Sequence, residues 1–365
     1  MDTFTQIVLG AAVGQAVGYR RLGRTALALG AVGGTLPDLD VFANSLGSLA
    51  EWQYHRGFTH SLFFGPLVGP VLGYVTWKIY GWRDPTGPGA QPRALGTLIG
   101  LWILAILTHP LLDLFTVYGT QLLAPLSDTR FVIPAVSIID PNYTLVLLIA
   151  VILGLMRRPS GVVSTVTAVA LLLSTIYLLY CWEQNQKAEG EARRQLAELG
   201  VRGADVRAYT TIFQPWLRRL VAQDEAGIRI GFVSTWKPSP IRWTCQRRPE
   251  DPVIARAIAT PEMRILDRFS GGQVWPQVAR DAQGSTVVRF TDLRYGVSGP
   301  STFGWWGIDV TLDPLGQVTS ARRIAIPRPQ VSWGTVGAVY RAGLGELDGY
   351  FAVAGATMEP AASGC

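Results

Sequence analysis

Three apolar runs, Leu62–Tyr80, Leu95–Leu114 and Val162–Trp182, approach the roughly 20 residues that a helix needs to cross a bilayer core of about 30 Å. A fourth, Pro141–Met156, is shorter but strongly apolar. Two stretches rich in Gly and Ala, Thr5–Tyr19 and Thr25–Leu36, precede them. Small residues let helix backbones approach closely inside a bundle, so these two fit short, tilted or re-entrant helices. Residues 1–182 are therefore expected to form an all-α membrane domain of about six helices.

Charge divides the chain the same way. Residues 1–182 hold eight carboxylates, ten Lys/Arg and all three histidines, against eighteen carboxylates and twenty-two Lys/Arg in residues 183–365. The first half reads as membrane and the second as water-soluble. If all six helices cross, Arg20, Arg21, Arg24, Lys78, Arg83, Arg93, Arg157 and Arg158 fall on one side, with Arg56 and Arg130 opposite. Basic loops mark the cytoplasmic side. The expectation is a multi-pass inner-membrane protein whose termini, Asp38, Asp40, Glu51, His55, His60, Asp128 and Asp140 lie on the extracytoplasmic side. The N-terminus, Met1-Asp2-Thr3-Phe4, lacks the basic region of a secretory signal, so the first apolar stretch is expected to be retained.

Glu183–Leu199 is charged with apolar positions at helical spacing, and residues 183–204 read as a helix and linker leaving the membrane. Beyond residue 205 apolar and polar residues alternate between Gly/Pro breaks, as in Gly227–Trp236, Ser285–Leu293, Gly307–Leu312 and Val318–Ile326. Residues 205–365 thus predict a small β-rich extracytoplasmic domain. It contains no histidine and no catalytic motif. The net charge of +6 is thinly spread, without a basic run interleaved with aromatics, which argues against nucleic acid as a partner. Cys181, Cys245 and Cys365 have no zinc-knuckle or disulfide-framework spacing, and a Cys245–Cys365 bridge stays open. Oligomeric state is not legible.

Three histidines in 365 residues all lie between positions 55 and 109, each beside a carboxylate or another histidine. Pro37-Asp38-Leu39-Asp40 follows an apolar stretch that Pro37 terminates, since proline cannot donate a backbone bond. Its two acids can hold a hard cation together, or be solvated loop acids. His55-Arg56-Gly57-Phe58-Thr59-His60-Ser61 places two histidines five residues apart, about 500° of helical turn, so they share a site only if the chain bends. Gly57 allows the bend, and Thr59 is expected to cap a helix starting near Ser61, with His55 folded back over His60. A pair of interfacial histidines is the alternative. His109 and Asp113 stand at i, i+4 on one helical face near the end of an apolar span, where an ionisable pair is costly. Here the alternative is a buried hydrogen bond that locks two helices. Taken together, Asp38, Asp40, His55, His60, His109 and Asp113 are candidate ligands for one or two divalent ions. Zn²⁺ suits imidazole plus carboxylate best, with Mn²⁺ or Fe²⁺ next. Arg56 is the candidate for holding a phosphate oxygen and Asp40 for assisting catalysis. Thr59 and Ser61 fit capping better than nucleophilic roles.

These motifs, with Met1–Gly10, Tyr118–Leu123, Pro125–Asp128 and Ile139–Pro141, resemble the YdjM/YbcI-like family of bacterial inner-membrane proteins, described by inference as metal-dependent hydrolases. The resemblance covers residues 1–182, and the β-rich half is similar to the tail of a longer subgroup. It implies hydrolysis of a phosphoester or lipid, and a helical core similar to zinc-dependent phospholipase C. Many members of that family carry a histidine where this chain has Gln6. If it is a ligand there, this chain has one fewer or uses Asp2 instead. Three functions compete: a membrane hydrolase acting on a lipid-type or phosphoester substrate, a metal-ion transporter with ligands spread through the membrane depth, and a scaffold whose metal is structural.

Overall fold

The computed structural model describes residues 1–282, 284–296, 304–326 and 332–353. Cys365, one end of the open Cys245–Cys365 pairing, lies outside the described residues. The chain forms a helical unit, residues 1–46 with 54–180, and a second unit, residues 47–53 with 181–365.

In the helical unit, α1 (Thr3–Leu22) and α2 (Arg24–Thr35) form a hairpin. Asp2 caps α1 by accepting from the Thr5 amide. The crossing is built on glycines. A Cβ on Gly10 would come within 2.3 Å of the Gly30 carbonyl oxygen, one on Gly14 within 2.0 Å of that of Ala26, and one on Gly34 within 2.6 Å of that of Gln6. Only the absence of side chains lets the two backbones lie this close. Past α2 the chain continues as a 3₁₀ segment, Leu36–Leu46, carrying both acids of the Pro37–Asp40 motif. A short α3 (Ala50–Tyr54) and a 3₁₀ turn (Phe58–His60) lead into α4 (Phe64–Arg83). Then come α5 (Pro92–Asp113), α6 (Pro141–Met156) and α7 (Gly161–Glu198). α1 packs on α2, α5 and α6, and α4 packs on α5.

All six expected apolar helices are present. By length and composition, three segments are long and apolar enough to cross a membrane: Arg24–Leu46, Pro92–Asp113 and Gly161–Glu198. The pair Ala50–His60 and Phe64–Arg83, bent by 60°, makes a fourth if taken as one span, and Pro141–Met156 is a shorter apolar helix. The apolar run Val162–Trp182 and the charged stretch after it form one helix, α7, which runs unbroken to Glu198.

The second unit contains two four-stranded antiparallel sheets, as the alternation predicts. The first runs β1 (Asp205–Thr210), β2 (Leu217–Gln223), β3 (Gly227–Ser234), β4 (Thr244–Arg247) in sequence order. Its core joins Val206, Ala208, Leu220, Ala222 and Val233 to Ala188, Ala192 and Leu196 of α7. The second sheet is β5 (Val274–Arg280), β6 (Thr286–Asp292), β7 (Trp306–Leu312) and β8 (Val318–Ala325). α8 (Pro252–Ile258) and α9 (Pro261–Ser270) lie between the sheets in sequence, and α10 (Trp333–Gly343) and α11 (Leu347–Val353) follow them.

Candidate metal centre

Three ligand-bearing segments meet inside the helical unit. The 3₁₀ segment brings Asp38, the turn before α4 brings His60, and the last turn of α5 brings His109 and Asp113. Asp38 Oδ1 lies 3.5 Å from His60 Nε2 and 3.3 Å from His109 Nε2. One ligand atom from each of these three residues lies within 4.8 Å of the others. Asp113 Oδ2 lies 3.5 Å from each imidazole Nε2. Four tetrahedral ligands at about 2.0–2.1 Å from an ion stand about 3.3–3.4 Å apart, which is close to the spacing seen here. His60 Nε2 and His109 Nε2 are buried and make no hydrogen bond. Two buried imidazole nitrogens aimed at one carboxylate-lined point, each with a lone pair or proton to satisfy, form an arrangement that a cation completes. The residues therefore fit a divalent ion.

The other nitrogen of each ring is held. His109 Nδ1 is 2.6 Å from the Gly34 carbonyl oxygen, at the α1–α2 crossing. His60 Nδ1 is 3.1 Å from Asp40 Oδ2 and 3.1 Å from Thr59 Oγ1. A ring nitrogen tied to a carbonyl or carboxylate fixes both the tautomer and the direction of the free nitrogen. Asp40 ties several groups together. Its carboxylate contacts His55 Nδ1 at 2.6 Å, and accepts from the Arg56 amide at 2.9 Å and from the Thr59 hydroxyl at 2.9 Å. Thr59 thus bonds Asp40, whereas α4 starts only at Phe64 with no side-chain cap. Ser61 is buried and its hydroxyl makes no hydrogen bond.

His55 folds back as expected, its ring edge-on to His60 at 5.6 Å between centroids and to Tyr118 at 5.4 Å. It stands outside the Asp38–His60–His109 group. Arg56 is the sharp bend of this segment, with φ of 60°, an unusual conformation for a residue with a Cβ. Its side chain is buried: Nε is 3.0 Å from Asp113 Oδ2, Nη1 donates to Thr116 Oγ1 at 2.7 Å, and the guanidinium lies 4.7 Å over the Tyr118 ring. The Met1 amino group contacts Asp113 Oδ1, and Gln6 Nε2 donates to the same oxygen at 3.1 Å. Gln6 therefore lies beside the centre, on α1, through Asp113. Asp38 is the open member, its side chain 27% exposed while those of His60, His109 and Asp113 are buried. Exposed Leu39, Val41 and Phe42 adjoin it in the 3₁₀ segment. Sequence reasoning missed Gly34 and Thr116 as supports, and met Tyr118 only as the first residue of the Tyr118–Leu123 block. A backbone carbonyl leaves no trace in residue type, and a lone threonine in an apolar chain carries no spacing signal.

A family model described as YdjM inner membrane protein matches residues 1–187, which include every residue of this centre. The chain belongs to that family. It is also similar to a Bacillus subtilis (strain 168) protein described as uncharacterized protein YfhP, 28% identical over 152 residues. That match covers 39% of this chain and 42% of the relative, so the chain spans well under two thirds of it. No solved structure matches. Membership of the YdjM family, with three candidate membrane spans, makes this an inner-membrane protein carrying a candidate metal group on its helical part.

Proposed function

We propose that this YdjM-family protein is a metal-dependent hydrolase of the inner membrane, acting on a phosphoester or lipid-type substrate. The observation that carries the reading is the pair of buried imidazole nitrogens, His60 Nε2 and His109 Nε2, without hydrogen bonds and converging with Asp38 Oδ1. When bound there, a divalent cation, Zn²⁺ by the chemistry of the donors, supplies a Lewis acid and a water whose pKa falls towards about 7. One ion suffices for the three grouped donors.

The chain's own residues do the rest. Asp38, His60 and His109 bind, with Asp113 beside them. Arg56 aligns Asp113 through its Nε and, through its own amide, the Asp40 carboxylate. Asp40 orients both His60 and His55. His55, partly exposed, outside the grouped donors and bonded to Asp40, is the side chain that would hold a proton beside them. Because its guanidinium is occupied, Arg56 acts on the substrate through these carboxylates. The apolar neighbours of Asp38, within a segment apolar enough to span, favour a substrate that reaches the centre from the bilayer. The loop charges favour a multi-pass arrangement, with the centre and the C-terminal unit on the extracytoplasmic face.

Gathering of the donors at one point favours this reading over a transport path, which needs ligands distributed through the membrane depth. The exposed side of Asp38 favours it over a closed structural site. The test uses the full chain in detergent. Metal content is measured, together with hydrolysis of phosphoester, phospholipid and carboxylic ester substrates, for the wild type, His60→Ala and His109→Ala. Joint loss of metal and hydrolysis in both variants is expected. Full metal occupancy in both variants overturns the ligand set, and metal-dependent transport without any hydrolysis overturns the enzyme.

A further inference from the structure

The first sheet of the β-rich unit carries an aromatic surface at one end. The loop from β1 to β2, Thr211-Ile212-Phe213-Gln214-Pro215-Trp216, has only two polar side chains, Thr211 and Gln214, and both are buried. Gln214 holds the loop shut. Its Oε1 accepts from the Trp216 and Leu217 amides at 2.6 and 2.8 Å, and its Nε2 donates to Thr211 Oγ1 at 2.7 Å. Phe213 sits at φ of 67°, a conformation that a residue with a Cβ rarely adopts, and its carbonyl accepts from the Tyr340 hydroxyl at 2.7 Å. Ile212, Phe213 and Trp216 are half-buried. The Trp216 ring meets that of Trp236, just past β3, edge-on at 5.7 Å between centroids. Trp236 is 63% exposed, and Lys237 after it is exposed as well.

The register of this sheet along α7 sets the height of the loop. α7 from Cys181 onward belongs to the same unit as β1 and β2. Arg193 Nη2 donates to the Val206 carbonyl at 3.1 Å, and Glu189 Oε1 accepts from the Ala208 amide at 3.2 Å. Arg218, opposite Thr210 in the β1–β2 ladder, donates to Asn185 Oδ1 at 3.4 Å and to the Cys181 carbonyl at 2.9 Å. Two residues along the strand, about 6.5 Å, thus match four residues of helix, about 6 Å, in the opposite direction. Continued past Thr210, the same steps bring Ile212 and Phe213 to the height of Cys181 and Trp182. Trp182 is the last residue of the apolar run Val162–Trp182, is 44% exposed, and precedes the first charge, Glu183. α7 is long and apolar enough to cross a membrane. The loop therefore stands at the level where this helix passes from lipid to water.

We propose that the β1–β2 loop and the Trp216–Trp236 pair are seated in the membrane interface, with lipid as their partner. Tryptophan favours the headgroup level, where its ring lies on acyl chains and its N–H stays among polar groups. Lys237 lays its stem along the same apolar surface and brings its ammonium to lipid phosphates. The loop's own hydrogen bonds to Gln214, Thr211 and Tyr340 lower the cost of taking it out of water. Because those bonds preform the loop, little ordering is lost when lipid covers it. The surface is made of second-unit residues alone and stands whether or not the helical unit binds a metal.

The experiment uses the full chain, in its native membranes and in vesicles of phosphatidylethanolamine and phosphatidylglycerol. The photoreactive residue p-benzoylphenylalanine replaces Phe213, Trp236 or Glu225, one at a time. Glu225, exposed between β2 and β3, lies at the far end of the seven-residue β2, about 23 Å further from the boundary. Irradiation with acyl-labelled lipid is expected to attach lipid at positions 213 and 236 and to leave position 225 at the unirradiated background. A second readout needs only natural residues. In vesicles of acyl-brominated lipid, Trp236→Tyr is expected to lower the share of tryptophan emission that bromine quenches, because it removes an emitter seated among the lipids. A share that stays level or rises overturns the proposal, since Trp236 then emits from water. Absence of lipid at both 213 and 236 overturns it too, as does equal labelling at 225. Protein adducts at 213 and 236 in native membranes, without lipid adducts, would make the partner a protein instead.

Discussion

Two imidazoles occupy the same kind of position, and their second nitrogens explain the roles of their neighbours. His109 leans on a carbonyl, whereas His60 leans on Asp40. If Asp40 acts by aiming His60 and His55, Asp40→Asn keeps the shape, weakens the acceptor and costs about 10- to 100-fold in Zn²⁺ affinity, leaving binding measurable. Asp38→Asn and His60→Ala, which remove donors of the group itself, are expected to leave no stoichiometric metal in the purified protein. Chelator competition separates the outcomes: Asp40→Asn as empty as His60→Ala would make Asp40 a ligand. At this scale the sequence was informative because histidine is scarce. Three residues confined to positions 55–109 point to one place without any fold, and the i, i+4 spacing of His109 and Asp113 sets them on one face. The division of labour within the set was not legible. Whether a carboxylate faces an ion or an imidazole depends on a bend at Arg56, and φ of 60° at an arginine has no sequence signature.

The α1–α2 hairpin supplies the Gly34 carbonyl that aims His109, so its close crossing bears on the site as well as on stability. A side chain on Gly30 would meet the Gly10 carbonyl oxygen at 2.1 Å, which is backbone and cannot rotate away. Gly30→Val is expected to destabilise the protein by about 1–3 kcal/mol through overpacking and to lower Zn²⁺ affinity by displacing Gly34. Gly96→Ala and Gly100→Ala, on α5 where an added Cβ meets nothing, are expected to be neutral or to stabilise by up to about 1 kcal/mol. Thermal unfolding in detergent measures both. Equal loss in Gly30→Val and Gly100→Ala would remove the crossing as the cause. The apolar runs marked these helices well, since length and hydropathy suffice. α8 and α9 escaped the strand-centred reading of the second half, although Asp251-Pro252 and Thr260-Pro261 each place a capping side chain before a first-turn proline. The 3₁₀ segment Leu36–Leu46 was not legible. It keeps the apolar composition of a helix, yet within it Asp38 and Asp40 both reach the histidines.

For the whole chain, composition separated an apolar half from a polar one, but contiguous halves missed the seven-residue segment that belongs to the second unit, Gly47–Gln53. No periodicity marks a segment that short, and Trp52 and Glu51 read as ordinary loop residues until Arg323 and Phe269 are seen against them. The candidate metal donors are likewise spread over the chain, from Asp38 before α3 to His109 on α5, with Gly47–Gln53 between Asp38 and His60 in sequence. An ion joining three such segments binds the folded chain far better than the unfolded one. At a free concentration a thousand times Kd it adds about 4 kcal/mol to stability. Chelation of the wild type is therefore expected to lower the thermal midpoint, and readdition of Zn²⁺ to restore it. His60→Ala and His109→Ala should start near the chelated midpoint and not respond to either treatment. A wild type whose midpoint ignores chelation, while metal analysis shows the ion removed, would mean that the donors are already held by the protein alone. The imidazole nitrogens argue against that: both are buried without a hydrogen bond, and both face the Asp38 and Asp113 carboxylates at 3.3–3.5 Å, a spacing that an ion between them completes.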